Sequence, residues 1–173
     1  MTKLLRIVPI QILLCVAIST PARAADPIIG NWKLDFQASS SVVGPPLKEH
    51  TETYRELTSG EIEFVITRVA KDGTRSTMRF TWPAGGGAAQ DPAEALGKGR
   101  TVVESLLGSG DWLATFMDHG KQSATIHKVI SPDGKTMTQT AKFVDAHGQT
   151  LTQIQVFRRQ LAEIRSRVLT RTA

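Results

Sequence analysis

Glu61-Ile62-Glu63-Phe64-Val65-Ile66-Thr67-Arg68-Val69, Ala70-Lys71-Asp72-Gly73, Thr74-Arg75-Ser76-Thr77-Met78-Arg79-Phe80-Thr81-Trp82 is the stretch that decides the fold. Ile62, Phe64 and Ile66 recur at every second position, as do Met78, Phe80 and Trp82, which places each set on one face of a strand. Between them Asp72-Gly73 tolerates the positive backbone angle of a hairpin turn whose twist matches paired strands. The same grammar recurs at Asp118-His119-Gly120-Lys121, Ser131-Pro132-Asp133-Gly134-Lys135 and Asp145-Ala146-His147-Gly148. From Ile62 to Arg158 the chain therefore reads as consecutive hairpins, an all-β antiparallel up-and-down meander.

Outward from that stretch, Gly30 to Phe36 alternates with Trp32, Leu34 and Phe36 on one face, and Glu49 to Leu57 is a weakly patterned second strand. Thr101 to Leu107, Asp111 to Met117, Gln122 to Ile130, Thr136 to Val144 and Thr150 to Arg158 continue the series. An antiparallel set of this size must dispose of its edges, and closure is the complete way to do so. The expectation is a barrel of 8–9 strands, close to the roughly eight of a small closed barrel, with a two-sheet sandwich as the other solution. Pro83 to Arg100 breaks the rhythm with Gly85-Gly86-Gly87 and Asp91-Pro92-Ala93-Glu94-Ala95-Leu96-Gly97. Asp as N-cap, Pro at the first helical position and Gly after the last turn predict a short helix inside a mobile loop. Leu161, Ile164, Val168 and Leu169 stand at roughly helical spacing and predict a short C-terminal helix, with 161–173 as a tail beyond a barrel domain of 25–160.

The beginning of the chain reads as a targeting segment. Lys3 and Arg6 form a positive region, Ile7 to Ile18 an apolar one, and Ala22-Arg23-Ala24 a small-x-small cleavage site. The apolar run contains Pro9 and Gln11 and is too short for a membrane anchor. Leu14, where a lipoprotein signal needs a small residue, argues against lipidation at Cys15. The expectation is a periplasmic or secreted protein with no stable membrane insertion after cleavage. Cleavage after Ala24 shortens 173 residues to 149, and loss of Lys3, Arg6 and Arg23 lowers the formal net charge from +5 to +2. So small an excess gives little attraction for nucleic acid. Cys15 is the sole cysteine, so the mature chain has no disulfide, thiol nucleophile or thiolate metal site.

Gly30-Asn31-Trp32 at the opening of the first strand resembles the Gly-x-Trp signature of the lipocalin superfamily. Together with Lys33-Leu34-Asp35, Gly44-Pro45-Pro46, Ser131-Pro132-Asp133-Gly134-Lys135-Thr136-Met137-Thr138 and Asp145-Ala146-His147-Gly148-Gln149, it resembles small bacterial exported lipocalin-like proteins of uncharacterised function. The resemblance covers nearly all of the mature chain and implies a lipocalin-like, calycin-type barrel. It also implies that Trp32 closes the barrel floor with an arginine of the last strand packed across it. Thr152, Ile154, Val156 and Arg158 share a face, which favours Arg158 for that role over Arg159. Pro83 to Arg100 departs from the family pattern, which has a more regular hairpin there, so closure of the barrel on that side is open.

The alternating apolar residues Phe64, Ile66, Met78, Phe80, Trp112, Phe116, Ile126 and Met137 are expected to face inward, either as packed core or as the lining of a ligand cavity. On the cavity reading they bind a small apolar or amphipathic molecule, and Pro83 to Leu96 is its lid. The alternative is an envelope protein whose filled barrel meets a protein partner. Neither reading requires a cofactor or a catalytic residue. His50, Glu52 and Tyr54 share one face of the second strand, but with charges on both faces that strand reads as solvated. Only if the face turned inward would the three form a polar handle in the cup and leave room for an enzyme. His119 and His147 sit in turns, and His127 beside Lys128 reads as a surface residue, so no metal site is expected. Gly85-Gly86-Gly87 lacks the Lys and Ser/Thr of a phosphate loop, and Ser109 lies in a hairpin tip unsuited to a nucleophile.

Overall fold

The computed structural model describes residues 25–40, 46–90, 92–145 and 147–161. Its strands are β1 (Gly30–Leu34), β2 (Leu47–Glu56), β3 (Glu61–Ala70), β4 (Arg75–Pro83), β5 (Gly86–Ala88), β6 (Arg100–Gly108), β7 (Asp111–Asp118), β8 (Lys121–Ile130), β9 (Thr136–Val144) and β10 (Thr150–Gln160). One short helix, α1 (Pro92–Leu96), lies between β5 and β6. The C-terminal helix expected within 161–173, the targeting segment 1–24 and the Asp91 cap fall outside the described residues, apart from Leu161, which is not helical.

All ten strands form one antiparallel meander in the order β4-β3-β2-β1-β10-β9-β8-β7-β6-β5. The sequence predicts eight or nine strands. The tenth is β5, which is built from Gly86-Gly87-Ala88 and so carries no side-chain signal of a strand. Pairing of β1 with both β2 and β10 brings the two halves of the chain side by side, with Trp32 opposite Glu52 on one flank and Arg159 on the other.

The stretch after β4 is a seam and not a free lid. β5 pairs with β6, Ala89 N–H donates to the Val102 carbonyl (2.9 Å), and Gln90 N–H donates to the Thr81 carbonyl of β4 (2.7 Å). The ends of the sheet meet through this Thr81–Gln90 bridge, so the barrel is nearly closed. Gly86 allows the approach. Its φ is +92°, and a Cβ there would stand 2.8 Å from the Glu104 carbonyl oxygen on β6.

One end of the barrel is plugged. Trp32, Trp82, Trp112, Ile28, Ile62, Met137 and Phe157 are all buried there. The Trp32 indole donates to the Ile28 carbonyl (2.8 Å), and the Trp112 indole donates to Asp26 Oδ1 (3.2 Å), tying the segment ahead of β1 across the opening. Arg159, not Arg158, lies across Trp32, its guanidinium carbon 4.2 Å from the ring centroid. It donates to the carbonyls of Gly134, Ile29 and Pro27. A Cβ on Gly30 would stand 2.5 Å from that guanidinium, which accounts for the glycine of Gly30-Asn31-Trp32. Arg158 points outward and pairs with Asp35 (3.1 Å).

Candidate functional site

The other half of the barrel holds a cavity of about 560 Å³. Of the eight residues predicted to bind a ligand, Phe64, Ile66, Met78, Phe80, Phe116 and Ile126 line it. Trp112 and Met137 do not. Both are 0% exposed and belong to the packed core of the plugged end, where Trp112 also stands edge-on to Trp82. They share the inward parity of the others but sit too far along their strands to reach the cavity.

The interior is much more polar than the apolar stripe predicts. His50, Glu52, Glu104, Lys128, Gln139, Gln153 and Gln155 are all buried and all line the cavity. The second strand is therefore not a solvated one. His50, Glu52 and Tyr54 turn inward and are 2%, 3% and 1% exposed. A carboxylate can be buried when it is hydrogen-bonded and paired, and Glu52 is both. Its Oε2 accepts from the Tyr54 hydroxyl (2.6 Å) and from the Gln139 amide (2.6 Å). His50 Nε2 lies 3.5 Å from its Oε1, within ion-pair range. Burial pushes the Glu52 carboxyl up, but His50, Tyr54 and Lys128 together outweigh that and hold it below the usual carboxylate value. Burial, reinforced by Glu52 and Glu104, pushes the Tyr54 phenol well above its ordinary value, so that it remains a donor.

A second buried pair stands across the barrel. Lys128 Nζ donates to Glu104 Oε1 at 2.8 Å, and the two residues are 4% and 1% exposed. The ammonium also lies 5.4–5.5 Å from the ring centroids of Tyr54, Phe64 and Trp82, close enough for their faces to stabilise the charge. Sequence reading missed this pair. Glu104 follows Thr101-Val102-Val103 and Lys128 follows His127, and neither carries a local mark of burial. The available signal is parity, because Glu104 is in step with Val102 on β6, and Lys128 with Ala124 and Ile126 on β8.

Several buried polar atoms are left without a hydrogen-bond partner among the described residues: Glu104 Oε2, both ring nitrogens of His50 and Trp82 Nε1. Toward the open end stand Arg68, Arg100, Asp118 and Val144, with Leu96 of α1 beside them. Arg100 is held to Asp118 at 3.5 Å. Among the described residues no cluster of His, Asp or Glu is placed to hold a metal ion, and no helix is long and apolar enough to cross a membrane. His119 and His147 are exposed in their turns, and half-buried His127 bonds Asp111 (2.7 Å).

No family model matches the sequence, and no curated protein matches it either. Solved structures do. The wild-type fluorescent protein UnaG is 16% identical with a TM-score of 0.53, the match covering 76% of this chain and 96% of that one. A point mutant of UnaG is 14% identical with a TM-score of 0.51, over 78% and 97% of the two chains. The zebrafish ileal bile acid-binding protein, complexed with cholic acid, is 14% identical over 78% of this chain and 99% of its own, at a TM-score of 0.48. What this chain shares with UnaG is the fold, a nearly closed antiparallel barrel.

Proposed function

We propose that the mature protein is an exported carrier that holds one small amphipathic molecule inside its barrel. The observation that supports this most is the 560 Å³ cavity, apolar on the β3, β4 and β7 side and polar across β2, β6, β8 and β9. A volume of that order suits a small-molecule site, which typically pairs apolar walls with a few convergent polar groups. A barrel that served only as a scaffold for a protein partner would gain more from filling this space. Each buried methyl or methylene adds about 0.8 kcal/mol, whereas buried unpartnered polar atoms cost stability. The calycin-type fold supports the same reading by analogy only. Export rests on the pattern of residues 1–24, and the mature chain then begins at Ala25. No step of this function requires turnover.

Native mass spectrometry of the mature protein, purified gently from its own cell envelope, tests the reading. The expected result is a chain starting at Ala25 with a reproducible small-molecule adduct that is lost on denaturation. A bare protein that stays bare after exposure to envelope lipid extract would overturn it in favour of a protein partner.

A further inference from the structure

We propose that the carried molecule enters polar end first and that this end bears hydrogen-bond donors, a hydroxyl or an amine, rather than a carboxylate. The inference rests on the carrier reading and specifies its ligand.

Donors and acceptors at the buried end of the cavity decide which end group fits there. Four titratable side chains that line the cavity are buried there, Glu52, Glu104, Lys128 and His50, with the Tyr54 hydroxyl behind them. One Lys128 proton and the donors of Tyr54 and Gln139 already serve these carboxylates. The Lys128 ammonium is on Glu104 Oε1, while the Tyr54 hydroxyl and the Gln139 amide both point at Glu52 Oε2. Left over is Glu104 Oε2, a carboxylate oxygen that can only accept. A buried acceptor without a donor costs roughly 1–3 kcal/mol, and an incoming hydroxyl or amine removes that penalty. A carboxylate in the same place would bring a third acidic group beside Glu52 and Glu104, where Lys128 is the buried ammonium and the Arg68 guanidinium is exposed, against repulsion and desolvation together.

The apolar body of such a ligand then lies among Phe64, Ile66, Met78, Phe80, Phe116 and Ile126. The opposite orientation would set a carboxylate at the mouth near Arg68, which lines the opening and is exposed. It would also press the hydrocarbon tail against Glu52, Glu104 and Gln139, leaving Glu104 Oε2 without a donor.

The test is a comparison of decanol, decylamine and decanoate, which share one apolar chain and differ only in the end group. Their binding to the delipidated full-length mature protein at neutral pH is followed by calorimetry. The expected result is that decanol and decylamine each bind at least about tenfold more tightly than decanoate, the worth of one well-placed charge-assisted hydrogen bond. In the paired variant Glu104→Gln with Lys128→Met, which removes both charges together, the preference should shrink to about twofold. Decanoate binding as tightly as the other two, or an acidic molecule recovered from the native protein, would overturn the inference and leave the carrier reading standing. If none of the three binds and the purified protein carries no adduct, both fall together.

Discussion

Lys128 and Glu104 occupy positions where neither could stand alone. With both partners nearly inaccessible, the attraction and the flanking aromatic faces offset a desolvation cost that would otherwise be several kcal/mol per ion. Lys128→Met leaves Glu104 buried and unpaired, and the expected loss is about 3–5 kcal/mol in urea unfolding. Adding Glu104→Gln should recover most of it; if the double variant is no more stable than the single one, the pair is not coupled. Glu52 makes a different prediction, about pH. Its carboxyl is held below the ordinary value in the folded protein, so the unfolded chain takes up the proton more readily. The stability this supplies is complete above the ordinary glutamate value and is lost as pH falls through the depressed one. Urea midpoints measured from neutral to acid pH should drop steeply in the parent protein and less steeply in Glu52→Gln.

Among the elements, β3 and β4 are read from sequence with little trouble, because their buried inward residues Ile62, Phe64, Ile66, Phe80 and Trp82 are large and apolar and most of their outward ones are polar. β2 and β10 are not, and for one physical reason. Where an interior is polar, hydrophobic alternation no longer reports which face is inside. On β10 the apolar Ile154 is 44% exposed, whereas Gln153 and Gln155 are 3% and 9% exposed. Reading the apolar face as inward puts Arg158 over Trp32, and the true parity puts Arg159 there. The same inversion hides the His50, Glu52 and Tyr54 face of β2. The cavity's apolar wall was thus legible and its polar wall was not. β5 was illegible for another reason, since it is defined by a close backbone approach that only glycine permits. That makes it testable by bulk. Gly86→Val forces a side chain against the β6 backbone at a φ that L-residues avoid, costing ~1–3 kcal/mol. Hydrogen exchange at Ala89 and Gln90 should accelerate far more than exchange in the β9–β10 ladder. Equal effects in both would mean that the seam is no weaker than the rest of the wall.

At the scale of the molecule, stability and binding are kept at opposite ends. The plugged half has the indoles, Phe157 and the Arg159 clasp packed together, and it can hold the barrel's shape while the other half keeps its cavity open. The two ends of the described chain both belong to the plugged half. Arg159, at the close of β10, hydrogen-bonds the carbonyls of Pro27 and Ile29 at the entry to β1, so beginning and end lie side by side. The exposed Gly85, meanwhile, sits in the short link between β4 and β5, outside every strand ladder. A circularly permuted chain follows from that arrangement, with residues 161 and 25 joined by a short flexible linker and a new start at Gly85. It retains each strand pairing and should fold with the parent's circular dichroism and a lowered melting temperature. In that permutant β5 becomes the first strand and β4 the last, so the order in which a barrel is written along its chain can be changed without redrawing its wall.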